Sequence, residues 1–430
     1  MTDRIVFNDL VGLADPSCKL TPAEDQWLSA LAVETAAPAF TLPIARTPSG
    51  AEPEPILTRS TDGTWRAGRY IGEIRRNNRV LEIRPRLGID AIAEWAGAAL
   101  NLHIMPKAGE HQGTSALIAE LVAATWRASL LDAYRHGPPG LRANTTHRGP
   151  TVRGRLDVAG TMQLRANRQP QVASIERAKR VDNPVSRLII AADRILNSRL
   201  VHRPGWRGDR LQELLTPLRG TVGNRPAIPT ARELDKARYT PITEPFRRVA
   251  DLSWRITNNR GLRSSATGEE AAGVLIDVAE LWELFLLHCA RRAFGPAAVT
   301  HGTQLRKGQP LLRSVPKPTA TWGRLYPDIL IGPATEPVLI LDAKYRFLTG
   351  GTPVAREDLY QLITYLTAYS TAHLPQGMLG YPRFPGLSSS TAETEGPWTT
   401  PRSNLIHFER MPLTSAECVP FLRAKVGDPA

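Results

Sequence analysis

The sequence predicts an α/β protein, α+β when the chain is taken whole, and three features carry that expectation. From about Gly268 the chain reads long helix, strand, strand, helix, the order an α/β core requires. Val338-Leu339-Ile340-Leu341 is an unbroken apolar run, the mark of a strand covered on both faces. Near the N-terminus two β-like segments flank Asn77-Asn78, a pair suited to a tight turn between strands. The 430 residues can form two or three cores at roughly 100 to 200 residues per domain. The expected division is an N-terminal β/α domain (1–145), a middle domain or linker that is mostly helical (146–265), and a C-terminal domain with a mixed sheet flanked by helices (266–430).

In chain order, Arg69–Pro85 (RYIGEIRRNNRVLEIRP) should form the hairpin, and Ile89–Leu102 and Ser115–Tyr134 two amphipathic helices. His136-Gly137-Pro138-Pro139-Gly140 then stops the second helix. Thr151–Val158 alternates like a strand. Asp182-Asn183-Pro184 precedes the periodic apolar run Val185–Leu196, a capped helix. Pro204–Pro245, rich in Arg and Pro, favours loops or short helices. Beyond it the spacing predicts a helix over Glu269–Phe294, strands over Leu325–Ile331 and Val338–Tyr345, and a helix over Arg356–Tyr369, with Leu359, Leu362, Ile363 and Leu366 as its core-facing stripe. A Ser/Thr/Gly/Pro-rich loop (Gly386–Pro401) and a strand (Asn404–Phe408) close the chain.

Composition narrows the function. Lys plus Arg number 54 against 41 Asp plus Glu, a net charge of +13, which favours a polyanionic partner through phosphate neutralisation. Only three cysteines occur, Cys18, Cys289 and Cys418, without metal-ligand spacing, so neither a disulfide framework nor a zinc ribbon fits and a cytoplasmic setting is expected. The acidic residues in MTDRIVFNDLVGL do not suit a signal peptide, and no window is long and apolar enough for a membrane span.

The chemistry concentrates on the two C-terminal strands. Asp328 lies in the first and Asp342-Ala343-Lys344 at the end of the second. Carboxylates on neighbouring strands can share a hard cation such as Mg²⁺, with Mn²⁺ as a substitute, the arrangement that phosphodiester hydrolysis requires. Asp342 and Lys344, two apart, share one strand face, where an ammonium can orient water and offset phosphate charge. Asp and Lys at this spacing can also be a solvated pair; their position at the end of a buried apolar run weighs against that. Asp358, Gln361 and Tyr365 form a polar stripe on the last helix, suited either to the site or to solvent. Glu283, inside Leu281-Trp282-Glu283-Leu284-Phe285, is a candidate further ligand, although Asp277, Glu280 and Glu283 also describe a solvated edge.

Together PDI, ILDAKY, QLITY (Gln361–Tyr365) and LWELF resemble the PD-(D/E)XK nucleases and, with YIGEIRRNNRVLEIRP and the RGRLD segment (Arg153–Asp157), resemble McrC, the nuclease subunit of McrBC type IV modification-dependent restriction systems. The resemblance implies that Asp328 and Asp342 bind Mg²⁺ with the Ala343 carbonyl, that Lys344 aligns the attacking water, and that Glu283, Gln361 and Tyr365 support the site. It also implies DNA as substrate and an McrB-like AAA+ GTPase or ATPase as partner in a hetero-oligomer used in antiviral defence. No G-x-x-x-x-G-K-[ST] loop occurs here, so nucleotide hydrolysis would come from that partner. The N-terminal region, with Arg75, Arg76, Arg79, Arg84 and Arg86, is the candidate for docking to it, a solvated face or a DNA strip being the alternatives. Two other functions fit the same residues: a repair or recombination nuclease, and an adaptor that activates an AAA+ ring without cutting.

Overall fold

The computed structural model describes residues 3–15, 17–34, 55–100, 114–201, 203–258, 271–305, 308–348, 354–371, 373–384 and 396–427. The chain divides into two compact units, one built from residues 1–118 and 261–430 and the other from 119–260. Three consecutive domains were expected, and the two ends of the chain instead build one unit. The reason is a strand pairing. Ala271–Asp277 is a strand, and it lies antiparallel to Tyr70–Arg76 from the N-terminal hairpin. The expected stop at His136–Gly140 falls inside the second unit.

In the first unit, one sheet has the order Asp3–Asn8, Arg79–Arg84, Tyr70–Arg76, Ala271–Asp277. The hairpin Tyr70–Arg84 turns at Asn77, whose φ of 53° suits an Asn. Gly72 takes φ 142°, and a side chain there would run into the Val274 carbonyl. This sheet packs its inner face on the helix Pro22–Glu34 through Phe7, Leu28, Leu31, Ile74, Leu81 and Leu275. The helix expected from Glu269 begins at Val278, because Asp277 accepts hydrogen bonds from the amides of Ala279 and Glu280 and so starts it. Residues 269 and 270 lie outside the described residues, as do 101–113 and most of the Gly386–Pro401 loop.

The second sheet has six strands in the order Val299–His301, Ile329–Ile331, Leu339–Ala343, Gln376–Pro382, Leu405–Met411, Trp398–Thr399. Its central pairs, Leu339–Ala343 with Gln376–Pro382 and the latter with Leu405–Met411, are parallel. The other three pairs are antiparallel. The helix Arg356–Tyr369 covers one face with Leu362, Tyr365, Leu366 and Tyr369 against Ile340 and Leu379. Leu341, of opposite parity, points to the other face, where Leu286 of the helix Val278–Phe294 lies beside Gly380. The observed buried stripe of Arg356–Tyr369 differs from the expected one: Ile363 is exposed, while Asp358 and Tyr365 turn inward. Strand Leu325–Ile331 is broken before Ile329, since Tyr326-Pro327-Asp328 is irregular and Pro327 has no amide to donate.

The second unit holds a three-stranded sheet, order Leu141–Gly149, Val172–Arg180, Arg155–Leu156, and helices including Pro184–Arg199, Gly208–Val222 and Phe246–Asn258. Asn183 caps the first of these, as expected. Thr151–Val158 yields only a two-residue strand, because Asp157 caps a helix that starts at Val158. Gly208–Val222 is longer than the loops foreseen for Pro204–Pro245. Leu211, Leu215 and Leu218 bury one face of it, and that burial outweighs the hydrogen bond Pro217 removes. Among the described residues no helix is long and apolar enough to cross a membrane.

Candidate active site

The two acidic residues meet because of register. Ile329 pairs with Leu341 in the antiparallel ladder, so the next positions outward are Asp328 and Asp342, on the face covered by Arg356–Tyr369. Gly302 fixes the approach from the adjacent strand: its amide donates to the Asp328 carbonyl at 3.1 Å, and any side chain on it would strike the Pro327 carbonyl. The Ala343 amide donates to Asp328 Oδ2 at 2.8 Å. The Lys344 amide donates to the Gly380 carbonyl at 2.9 Å, which also accepts Trp282 Nε1 at 3.0 Å.

Side-chain contacts then run from strand to helix. Lys344 Nζ lies 2.7 Å from Asp342 Oδ2, donates to Gln361 Oε1 at 2.8 Å and is 3.6 Å from Asp358 Oδ1. Gln361 Nε2 donates to the Tyr365 hydroxyl at 2.8 Å. Five of the six side chains singled out in the sequence, Asp328, Asp342, Lys344, Gln361 and Tyr365, therefore converge on one face. Glu283 is near enough for its charge to act on Asp328, but its Oε1 is 2.7 Å from His301 Nε2, and His301 Nδ1 is 2.5 Å from Thr303 Oγ1.

The electrostatics are those of crowded, desolvated carboxylates. Burial holds the Asp328 pKa well above the ordinary carboxylate value, and the charges of Glu283 and Asp342 push the same way. Burial also raises Asp342, against the pull of Lys344. For Lys344, burial alone would lower the ammonium, but Asp342, Asp328 and Asp358 together outweigh it and its pKa is raised. Asp342 is 0% exposed, and its Oδ1 is buried without a hydrogen-bond donor. An orphaned anionic oxygen beside a second carboxylate is costly unless a positive charge arrives. The donors are all oxygens, which suits a hard divalent cation. Among the described residues no cluster of three or more His, Cys, Asp or Glu is placed to hold a metal, so such an ion would take the two carboxylates and leave its other positions to backbone and water.

Sequence reasoning missed a second group, on the residue after Lys344. The Tyr345 hydroxyl donates to Asp9 Oδ2 at 2.6 Å, and the Arg86 amide donates to Asp9 Oδ1 at 2.6 Å. The Arg86 guanidinium lies over the rings of Phe347, Phe384 and Tyr345 at 3.9, 4.6 and 4.7 Å. Arg79 and Arg84 pair with Asp3 and Glu82, and Arg76 is buried. Most of the basic strip read in the hairpin is thus engaged within this unit. The signal for His301 was a histidine directly before a glycine at a strand end, and alone it is weak.

A family model described as McrBC 5-methylcytosine restriction system component matches residues 65–382. No curated protein matches. Among solved structures, the chain is similar to one described as a half-complex from the tetradecameric assembly of Thermococcus gammatolerans McrB AAA+ hexamers with bound McrC, with a TM-score of 0.53, 16% identity, and coverage of 95% of this chain and 94% of that one. At that identity the likeness is one of fold. A structure of the McrBC complex from the same organism also matches, with a TM-score of 0.37, 16% identity, and coverage of 67% and 88%; it is too distant to carry an argument.

Proposed function

The chain belongs to the family of McrBC 5-methylcytosine restriction system components, and from that premise we propose that it is the McrC-type subunit, a Mg²⁺-dependent DNA endonuclease of the PD-(D/E)XK class working with an AAA+ NTPase. The observation that carries the proposal is the opposition of Asp328 and Asp342, with an orphaned Asp342 oxygen and with Lys344 on the same face. Asp328 and Asp342 would hold the metal, which would polarise the phosphate and lower the pKa of water at the site. Lys344, kept charged by its acidic neighbours, presents an ammonium to the water and to the negative charge that builds on the phosphoryl oxygens. Gln361 and Tyr365 fix where that ammonium points. Glu283, tied to His301, contributes charge beside Asp328 rather than a free ligand. The likeness in fold to a structure of McrB hexamers with bound McrC supports a partner of that kind, acting in the cytoplasm.

The test is cleavage of methylated plasmid by the chain and its cognate AAA+ protein, with Mg²⁺ and GTP or ATP. Asp342→Asn and Lys344→Ala should each cut at least about a hundredfold more slowly, while stimulation of the partner's NTPase persists. Undiminished cutting by either variant sinks the endonuclease reading and leaves the adaptor.

A further inference from the structure

The net positive charge of this protein falls in one unit. Residues 119–260 contain 26 Lys and Arg against 12 Asp and Glu, whereas the rest of the chain contains 28 against 29. The net charges, +14 and −1, account for the +13 of the whole. The unit that carries Asp328, Asp342 and Lys344 is therefore close to neutral, and the net electrostatic attraction for a polyanion lies in the other.

Within that unit the charge gathers at a cavity of about 800 Å³ lined by Arg142, Arg177, Lys236, Arg238 and Arg247, with Asp235 as its acidic member. Arg142 on strand Leu141–Gly149 stands directly opposite Lys179, and Arg177 lies two residues along on the same face. Like charges paired across a ladder are destabilising. Among the described residues, the side chains of Arg142, Arg177 and Arg238 have neither ion pair nor hydrogen bond. Arg247 differs: Glu244 holds it at 2.6 Å, and it lies 4.6 Å over the Tyr239 ring as part of the wall. Three unspent guanidiniums around an open cavity, one of them in the Arg- and Pro-rich segment 203–245, call for anions spaced several ångströms apart. A phosphodiester backbone supplies that, and guanidinium forks match phosphate oxygens.

We propose that this cavity is a nucleic-acid backbone site, holding DNA by its phosphates without reading its sequence. The assignment goes beyond the cleavage chemistry and stands or falls apart from it. Fluorescence anisotropy of the full chain with a short fluorescein-labelled DNA duplex in EDTA, over a series of salt concentrations, tests it without cutting. The double variant Arg142→Ala/Arg238→Ala should bind about ten- to a hundredfold more weakly at low salt, with the slope of log K against log salt shallower by about 1.8, since each phosphate contact contributes roughly 0.9. Arg225→Ala, an exposed arginine outside the cavity, should leave both nearly unchanged. Equal losses in the two variants, or wild-type DNA binding by the double variant, overturn the proposal. Wild-type DNA binding with lost stimulation of the AAA+ partner would identify the cavity as a protein-docking surface instead.

Discussion

Lys344 is held from three sides, and its neighbours differ in what they contribute. Asp342 supplies charge, whereas Gln361 supplies direction: its Oε1 takes one ammonium proton while its amide nitrogen is anchored by Tyr365. Gln361 is exposed as a residue, so Gln361→Ala should leave the melting temperature almost unchanged while slowing cleavage about ten- to a hundredfold, the cost of a misaimed group. Equal rates for variant and parent would show that Lys344 needs no aiming. Asp328, Asp342, Lys344 and Gln361 were legible in the sequence because strand and helix periods place them on defined faces. His301, Asp9 and Arg86 were not. Their partners are 18, 336 and 77 residues away respectively, and only the assembled fold brings them together.

The helices and strands show the same division between local and distant causes. Arg356–Tyr369 was legible to the residue, since its acidic first turn and apolar period are local signals. Its polar stripe was legible as a stripe, but its facing inward was not, because only the assembled fold brings Asp358 and Gln361 to Lys344. Val278–Phe294 was read seven residues too long at least, for Asp277 caps it and the segment before belongs to a sheet whose other strands lie some 200 residues earlier. Trp282 is fully buried on this helix, its ring tilted against that of Trp95 with centroids 4.7 Å apart. Trp282→Ala should therefore lose about 3–5 kcal/mol in urea unfolding; a loss below about 1 kcal/mol would mean the contact is not formed in solution. Gly72→Ala should also destabilise, since it places a methyl group against the Val274 carbonyl at a φ that suits glycine. Two half-buried histidines, His288 on the helix and His407 on Leu405–Met411, have pKa values lowered chiefly by burial. Their unfolded forms protonate first, so the stability they confer is complete above 6.5 and is lost progressively as the pH falls from that value toward the lower folded one. His288→Asn/His407→Asn should flatten the decline in melting temperature between neutral and mildly acidic pH, and an unchanged slope would refute the assignment.

For the molecule as a whole, the mixed α/β class was legible in the sequence, but consecutive domains were expected where there is an insertion. Nothing local announces that Ala271–Asp277 completes an N-terminal sheet; its alanines, glycine and aliphatics suit a helix start equally well. A fragment spanning 266–430 would expose that strand's whole edge and leave Tyr345 without Asp9. It should aggregate or show little protection in hydrogen exchange, while a fragment of 119–260 should give a cooperative unfolding transition. A well-folded, active 266–430 fragment would contradict the discontinuous unit.

That insertion also has a consequence for how the chain comes off the ribosome. Arg76 emerges 195 residues before Ala271, its neighbour in the sheet. At roughly 5–20 residues per second the hairpin waits about 10 to 40 seconds for its last strand. During that interval its open edge is a target for chaperones or for the hairpin of a neighbouring nascent chain, and the basic insert has time to fold before Asp328, Asp342 and Lys344 are made.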